Sequence, residues 1–325
     1  MPEYKWQWPA VGHDKVIDFL ERAGHNHKIA QTYVFSGRDE LGKIAIALAF
    51  ARNLQGGRDG FDSDLLVIER EPDKKSISIN QAREFIKRLH LSSFLNSYKI
   101  GIIKEAELLS EEAKSALLKT LEEPQDRVVI ILLVNDEQDL PSTIISRAQI
   151  LHFQSVPSAV IYDYLIDNYS TKRALAKDIA NLSLGRPLAA VYWLEHPEEY
   201  EKHLVKSKIW LDALALDVNG RLSALDKLFN DRSWSSLALS SAEKILDLAE
   251  GLTRDLFLLG LGQPERLQNS AVQSELEIVW YHLENSNKAP LVVIIEQLKL
   301  VAQAREYLSA NVNPRLVLEQ LIINI

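Results

Sequence analysis

The sequence contains no cysteine. That excludes disulfides and any thiolate-bound zinc, and it suits a reducing compartment. Also missing is a run of about 20 apolar residues, the length needed to cross a bilayer. The opening Met1-Pro-Glu-Tyr-Lys-Trp-Gln-Trp8 has neither the basic start nor the apolar stretch of a secretory signal. No internal repeat, low-complexity tract or long linker interrupts the chain. An excess of positive charge is absent too. The formal net charge is -8, so binding to nucleic acid cannot come from the overall field and would need local basic patches. The expectation is a compact cytoplasmic protein.

What is present is length and apolar content. The 325 residues exceed the usual size of one core, and 46% hydrophobic residues suffice for two or three domains. The most informative text is Ser110-Glu-Glu-Ala-Lys-Ser-Ala-Leu-Leu-Lys-Thr-Leu-Glu-Glu-Pro124. Ser110 can cap a helix whose first turn carries Glu111 and Glu112, where the positive end of the helix dipole favours acids. Pro124 then stops it. Ala113, Ala116, Leu117, Thr120 and Leu121 recur at i, i+3, i+4, i+7 and i+8, which turns one face toward a core. Tyr98 to Ile103 upstream and the unbroken apolar run Val128 to Val134 downstream read as strands, so the three segments form a parallel α/β unit.

A coarse pass adds helices at about His13–Ala23, Gly42–Leu54 and Asn80–Leu89, and strands around Thr32–Phe35, Asp64–Ile68 and Gln149–Phe153. After Pro157 the pattern turns purely helical, punctuated at Gly220, Gly262-Gln-Pro264 and Asn311-Val-Asn-Pro314. Gly37-Arg-Asp-Glu-Leu-Gly-Lys43 fits the G-x-x-x-x-G-K frame, in which backbone N–H groups and the lysine cradle phosphates at a helix N-terminus. The next residue is Ile44, where a working loop places Ser or Thr to bind Mg²⁺. Asp39 and Glu40 also put acids where a polyanion must approach. His25 and His27 lack a third ligand nearby and read as solvated loop residues. His13 reads as a polar residue near a helix start, and Trp6 and Trp8 as a hydrophobic anchor.

Ala116-Leu-Leu-Lys-Thr-Leu-Glu-Glu-Pro124 followed by Leu140-Pro-Ser-Thr-Ile-Ile-Ser-Arg147 resembles the clamp-loader branch of the AAA+ ATPases, found in bacteria within the DNA polymerase III holoenzyme. Thr32-Tyr-Val-Phe-Ser-Gly37, Leu182-Ser-Leu-Gly-Arg-Pro-Leu-Ala-Ala190, Arg254-Asp-Leu-Phe-Leu-Leu-Gly-Leu-Gly262 and Leu267-Gln-Asn269 carry the likeness along nearly the whole chain. The resemblance implies an AAA+ α/β domain with a parallel sheet over 1–155, a small helical lid over 156–200, and an all-α collar for oligomerisation over 201–325. It makes Lys104 the residue standing where a Walker B aspartate would end its strand, Glu105 the counterpart of a water-activating glutamate, and Asn135 the counterpart of a γ-phosphate sensor. Leu188 stands where ATP-using members carry a lid arginine. Arg186, two residues earlier, is expected to face elsewhere on a helix.

With Ile44, Lys104 and Leu188 together, the resemblance implies a subunit that does not hydrolyse ATP. Gly37, Gly42 and Lys43 are left with at most weak ATP or ADP binding, and no cofactor is otherwise implied. Many members carry a cysteine zinc module, but the corresponding Gln55-Gly-Gly-Arg-Asp-Gly60 has no cysteine. Ser146-Arg147 is implied to supply an arginine finger in trans to ATP bound by a neighbouring subunit. The alternative is a surface arginine or a partner for Asp136 or Asp139. The implied partners are the gamma or tau ATPase subunits and the delta subunit of a hetero-oligomeric ring, with the sliding clamp and primed DNA handled by the assembly. Two other functions stay open: an ATP-hydrolysing clamp-loader motor, and an AAA+ interaction protein repurposed outside replication.

Overall fold

Val128–Val134 is apolar at every position, as suits a strand covered on both faces, and all seven residues are buried. The computed structural model of the chain describes residues 6–8, 11–56, 64–91, 98–123, 125–229, 235–286 and 288–325. Expectations resting on Met1 to Lys5, on 57–60 of the cysteine-free stretch and on Pro124 as a helix stop lie outside them. The chain forms two compact units, Met1–Tyr164 with Gly185–Ala189, and Leu165–Leu184 with Ala190–Ile325.

The first unit runs α1 (Asp14–His25), β1 (Thr32–Ser36), α2 (Lys43–Leu54), β2 (Leu65–Ile68), α3 (Ile79–Leu89), β3 (Lys99–Ile103), α4 (Glu111–Glu122), β4 (Val128–Val134), α5 (Ser142–Ile145) and β5 (Gln149–His152). Its strands lie in the order β2-β3-β4-β1-β5 with every pairing parallel. Period-two alternation sends Val129, Ile131 and Leu133 to one face, with Tyr33 and Phe35 of β1, against Leu20 of α1 and Ile46 and Phe50 of α2. Ile130, Leu132 and Val134 go to the other, against Phe85 and Leu89 of α3 and Leu117 and Leu121 of α4. Each large side chain so buried contributes about 1.5–3 kcal/mol. Ser110 caps α4 by accepting the Ala113 N–H at 3.2 Å. Trp6 and Trp8 pack on the first of these faces, and Trp8 Nε1 donates to Glu21 Oε1 at 2.7 Å.

In the second unit lie α7 (Arg173–Leu182), α9 (Pro197–Ala213), α10 (Val218–Leu228), α11 (Ser236–Gly260), α12 (Gln273–Glu284), α13 (Pro290–Ser309) and α14 (Pro314–Asn324). The helices α6 (Ser158–Tyr169) and α8 (Pro187–Glu195) belong in part to each unit. The core of the second unit gathers Trp210, Leu225, Leu246, Leu256, Val301 and Leu318. Among the described residues, side-chain caps from Asp217, Ser235 and Asn313 start α10, α11 and α14. Among the described residues no helix is long and apolar enough to cross a membrane. The architecture is an α/β unit built on a five-stranded parallel sheet, after which the described residues form helices and turns without a further strand.

Because the strands are parallel, the C-terminal ends of β1, β3 and β4 open on one edge of the sheet. That edge receives Gly37, Lys104 and Asn135, each one residue beyond its strand.

Candidate nucleotide site and the Ser-Arg motif

The loop Gly37–Gly42 joins β1 to α2. A Cβ at Gly37 would run into the carbonyl oxygen of Phe153, so only glycine lets the loop lie against the end of β5. Gly42, at the N-cap of α2, has φ 95°, a left-handed conformation that glycine adopts at little cost. The sequence gives no hint that His13 supports this loop. Its ring lies 4.8 Å from that of Phe153, and its Nε2 stands 2.8 Å from the Leu41 carbonyl oxygen. A carbonyl only accepts, so Nε2 carries the proton. Burial holds the His13 pKa below its ordinary value.

Lys43 is buried, and its ammonium is surrounded by acceptors of its own chain. Nζ donates to the carbonyls of Gly37 and Val134, the latter at 2.8 Å, and to Asn135 Oδ1 at 3.2 Å. Three donors thus have three acceptors. Asp39 stands 3.8 Å away. Burial lowers the Lys43 pKa, against the opposing pull of Asp39 and Glu107. Asn135 ties the strand end together: its backbone N–H donates to Glu107 Oε1 at 3.3 Å and its amide Nδ2 to Asp39 Oδ2 at 3.4 Å. Glu107, another residue that the sequence does not single out, has its carboxyl pKa raised by burial, and its buried Oε2 has no hydrogen-bond partner among the described residues.

The cleft enclosed here measures about 190 Å³, below the roughly 300–1,000 Å³ of ordinary ligand pockets. Of the charged side chains lining it, Asp39, Glu40, Glu105 and Glu107 are acidic and Lys43 and Lys104 basic. Lys104 is drawn to Glu69 at 2.6 Å. Glu105 adopts φ 48°, unusual for a residue with a Cβ, and faces Arg70 at 3.7 Å. Ile44 and Leu188 line the same cleft with hydrocarbon. At position 44 there is no oxygen for a metal, so these residues do not fit Mg²⁺-nucleotide as a working P-loop does.

Arg186 departs from expectation. It precedes α8 instead of lying on it, and its guanidinium reaches Glu40 at 3.0 Å while the Leu188 N–H donates to the Glu40 carbonyl at 3.1 Å. A loop residue that would approach phosphate is thus held on both its side chain and its backbone.

Ser146 and Arg147 stand apart from the cleft, just after α5. Arg147 Nη1 donates to the Thr143 carbonyl at 3.0 Å and to Ser146 Oγ at 3.3 Å. Its acidic partner is neither Asp136 nor Asp139 but Glu122, the last residue of α4, at 3.0 Å from Nη2. Asp136 instead accepts the Gln138 N–H at 2.9 Å. His25 rests on the Glu21 carbonyl at 2.8 Å, beside the ring of Trp6.

Residues 12–157 match the family described as DNA polymerase III, delta subunit. Over 328 aligned residues the chain is 24% identical to DNA polymerase III subunit delta' of Bacillus subtilis, covering 95% of this chain and 94% of that one. It is 27% identical over 193 residues to DNA polymerase III subunit tau/gamma of Haemophilus influenzae, covering 54% of this chain but only 28% of that longer protein. Among solved structures, a DNA polymerase III gamma subunit-related protein of Thermotoga maritima aligns with a TM-score of 0.53 at 18% identity, over 93% of this chain and 97% of that one. This last is a likeness of fold.

Proposed function

We propose that this chain is a DNA polymerase III clamp-loader-type subunit, the delta-prime member of its assembly: a stator that does not hydrolyse ATP and donates Arg147 in trans, a reading supported by its likeness to the delta' and tau/gamma proteins. The observation that carries this reading is the coexistence of a complete Ser146-Arg147 motif with Ile44 at the metal position. A guanidinium is permanently charged and matches phosphate oxygens with two parallel N–H groups. Ile44 gives Mg²⁺ nothing to bind. Lys43 is held by the carbonyls of Gly37 and Val134 and by Asn135, and four acids oppose a polyanion in a small cleft.

Its partners in this reading are the gamma or tau ATPase subunits and the delta subunit, joined in a hetero-oligomeric ring in the cytoplasm. The α/β domain over 1–155, the lid over 156–200 and the collar over 201–325 divide the work, with the collar making the ring contacts. The sliding clamp and primed DNA are engaged by the assembly. The competing motor reading needs a hydroxyl at 44 and an acid at 104, and the chain has Ile44 and Lys104.

Two measurements test the proposal. Affinity capture of the tagged chain should return gamma or tau together with delta, and capture without them would remove the replication role. The purified chain should show no steady-state ATP turnover. Turnover that disappears on Lys43→Ala would establish the motor instead.

A further inference from the structure

We propose that Glu122 competes for Arg147: it holds the guanidinium on its own chain until a phosphate of the neighbouring subunit takes it. The inference rests on the reading of Arg147 as a trans finger. Both terminal nitrogens of the guanidinium are engaged inside the chain, Nη2 by Glu122 and Nη1 by the Thr143 carbonyl and Ser146 Oγ. An arginine grips phosphate with two N–H groups side by side. Nη2 carries two N–H groups, so a grip that needs the one directed at Glu122 must displace the carboxylate from it.

The pair is placed for such an exchange. The Arg147 side chain is 38% exposed and that of Glu122 51%, so an incoming phosphate reaches the guanidinium without unfolding anything. Glu122 ends α4, where the negative end of the helix dipole disfavours a carboxylate, and Arg147 offsets that cost while no phosphate is present. A γ-phosphate carries more charge than one carboxylate and outcompetes it. An exposed pair of this kind shifts an equilibrium by no more than about fivefold, so Glu122 imposes a toll on engagement and does not block it. In the free subunit it keeps the guanidinium in one place and partly neutralised.

The test uses the complete reconstituted complex of this chain with its gamma or tau and delta partners, carrying in turn the wild-type chain, Glu122→Gln, Arg147→Ala and the double variant. Glu122→Gln keeps the size and removes the charge. It should raise kcat/KM for ATP about two- to fivefold at low salt, with a smaller gain at high salt, where exposed charges are screened. The double variant should match Arg147→Ala alone, which ties the gain to the guanidinium and not to packing. A fall in turnover with Glu122→Gln would show that Glu122 aims the arginine, and no change beside an impaired Arg147→Ala would show that the pair is idle. Either result overturns the competition and leaves the finger intact. If Arg147→Ala itself turns over normally in an intact complex, the finger reading falls and the competition with it.

Discussion

Asp255 accepts the backbone N–H of Asn269 on Oδ2 at 2.7 Å, and it accepts the side-chain amide of the same residue at 2.9 Å. Its Oδ1 takes the Gln268 N–H at 2.8 Å. Asp255 is fully buried, so one carboxylate anchors three donors of the segment between α11 and α12. Asp255→Ala would leave three donors without an acceptor in a dry site and should cost about 3–5 kcal/mol. Urea denaturation followed by circular dichroism measures this, and a loss under about 1 kcal/mol would contradict the account.

The same network sets a pH dependence. Because Asn269 spends its Nδ2 on Asp255, its Oδ1 faces His203 Nε2 at 2.9 Å, and the neutral ring donates. Burial holds the His203 pKa below its ordinary 6.5, with Lys206 acting in the same direction and the Asn269 contact opposing it. The unfolded chain takes up a proton that the folded chain refuses. Stability from this site is therefore complete above about pH 6.5 and is lost as the pH falls toward the folded-state value, at no more than about 1.4 kcal/mol per pH unit. Melting curves between pH 7.5 and 5.5 should flatten in His203→Gln relative to wild type, and equal slopes would tell against this assignment.

Lys43 should matter to the fold without any nucleotide. Lys43→Ala strips the Gly37 and Val134 carbonyls of a donor in a buried site, at a cost of about 1–3 kcal/mol. Millimolar Mg²⁺-ADP should leave the wild-type melting temperature unchanged. A rise of several degrees would mean that the cleft opens to nucleotide and that Lys43 exchanges its protein acceptors for phosphate.

Ile44→Thr restores a metal-binding oxygen but leaves Lys104, whose charge opposes Mg²⁺, at the strand end. No hydrolysis should appear in the single variant. Turnover gained by Ile44→Thr alone, measured on the isolated chain, would show that the hydroxyl was the one missing part.

If Arg147 is the proposed trans finger, Arg147→Ala should leave the complex intact on a sizing column and slow a single neighbouring ATP site by about 10³-fold or more. In steady state this reads as loss of that site's share of turnover. Arg147→Lys keeps the charge but not the fork and should resemble Ala more closely than wild type. Loss of the complex itself would recast Arg147 as an interface anchor.

Much of the first unit is legible in the sequence because its signals are local. Val128–Val134 announces a doubly covered strand by composition, Ser110 announces a helix start, and the loop from Gly37 to Lys43 announces its own turn. The structure brings Gly37, Gly42, Lys43, Lys104, Glu105 and Asn135 to one edge of the sheet because the strands are parallel. What the sequence hides are pairings between elements far apart in the chain. Arg147 meets Glu122 where the end of α4 approaches the turn after α5, Arg186 meets Glu40, and His13 meets Leu41. No spacing rule links such residues, since each contact depends on how separate helices and loops dock. The buried Glu107 eludes the sequence for a related reason: it sits in a short turn after β3 whose burial depends on neighbours from other elements.

A ribosome delivers β1 long before either strand that flanks it. Ser36 must wait for Val134 of β4 on one side and His152 of β5 on the other, roughly a hundred residues later. At 5–20 residues per second, that is an interval on the order of 5–20 s. Throughout it Tyr33, Val34 and Phe35 belong to a strand with two open edges, the kind of segment that invites chaperones or misassociation in a nascent chain. The phosphate-type loop consequently has no finished shape early in synthesis. Gly37 has no Phe153 to lie against until the fifth strand has emerged, so its loop is among the last parts of the sheet edge to gain all of its neighbours.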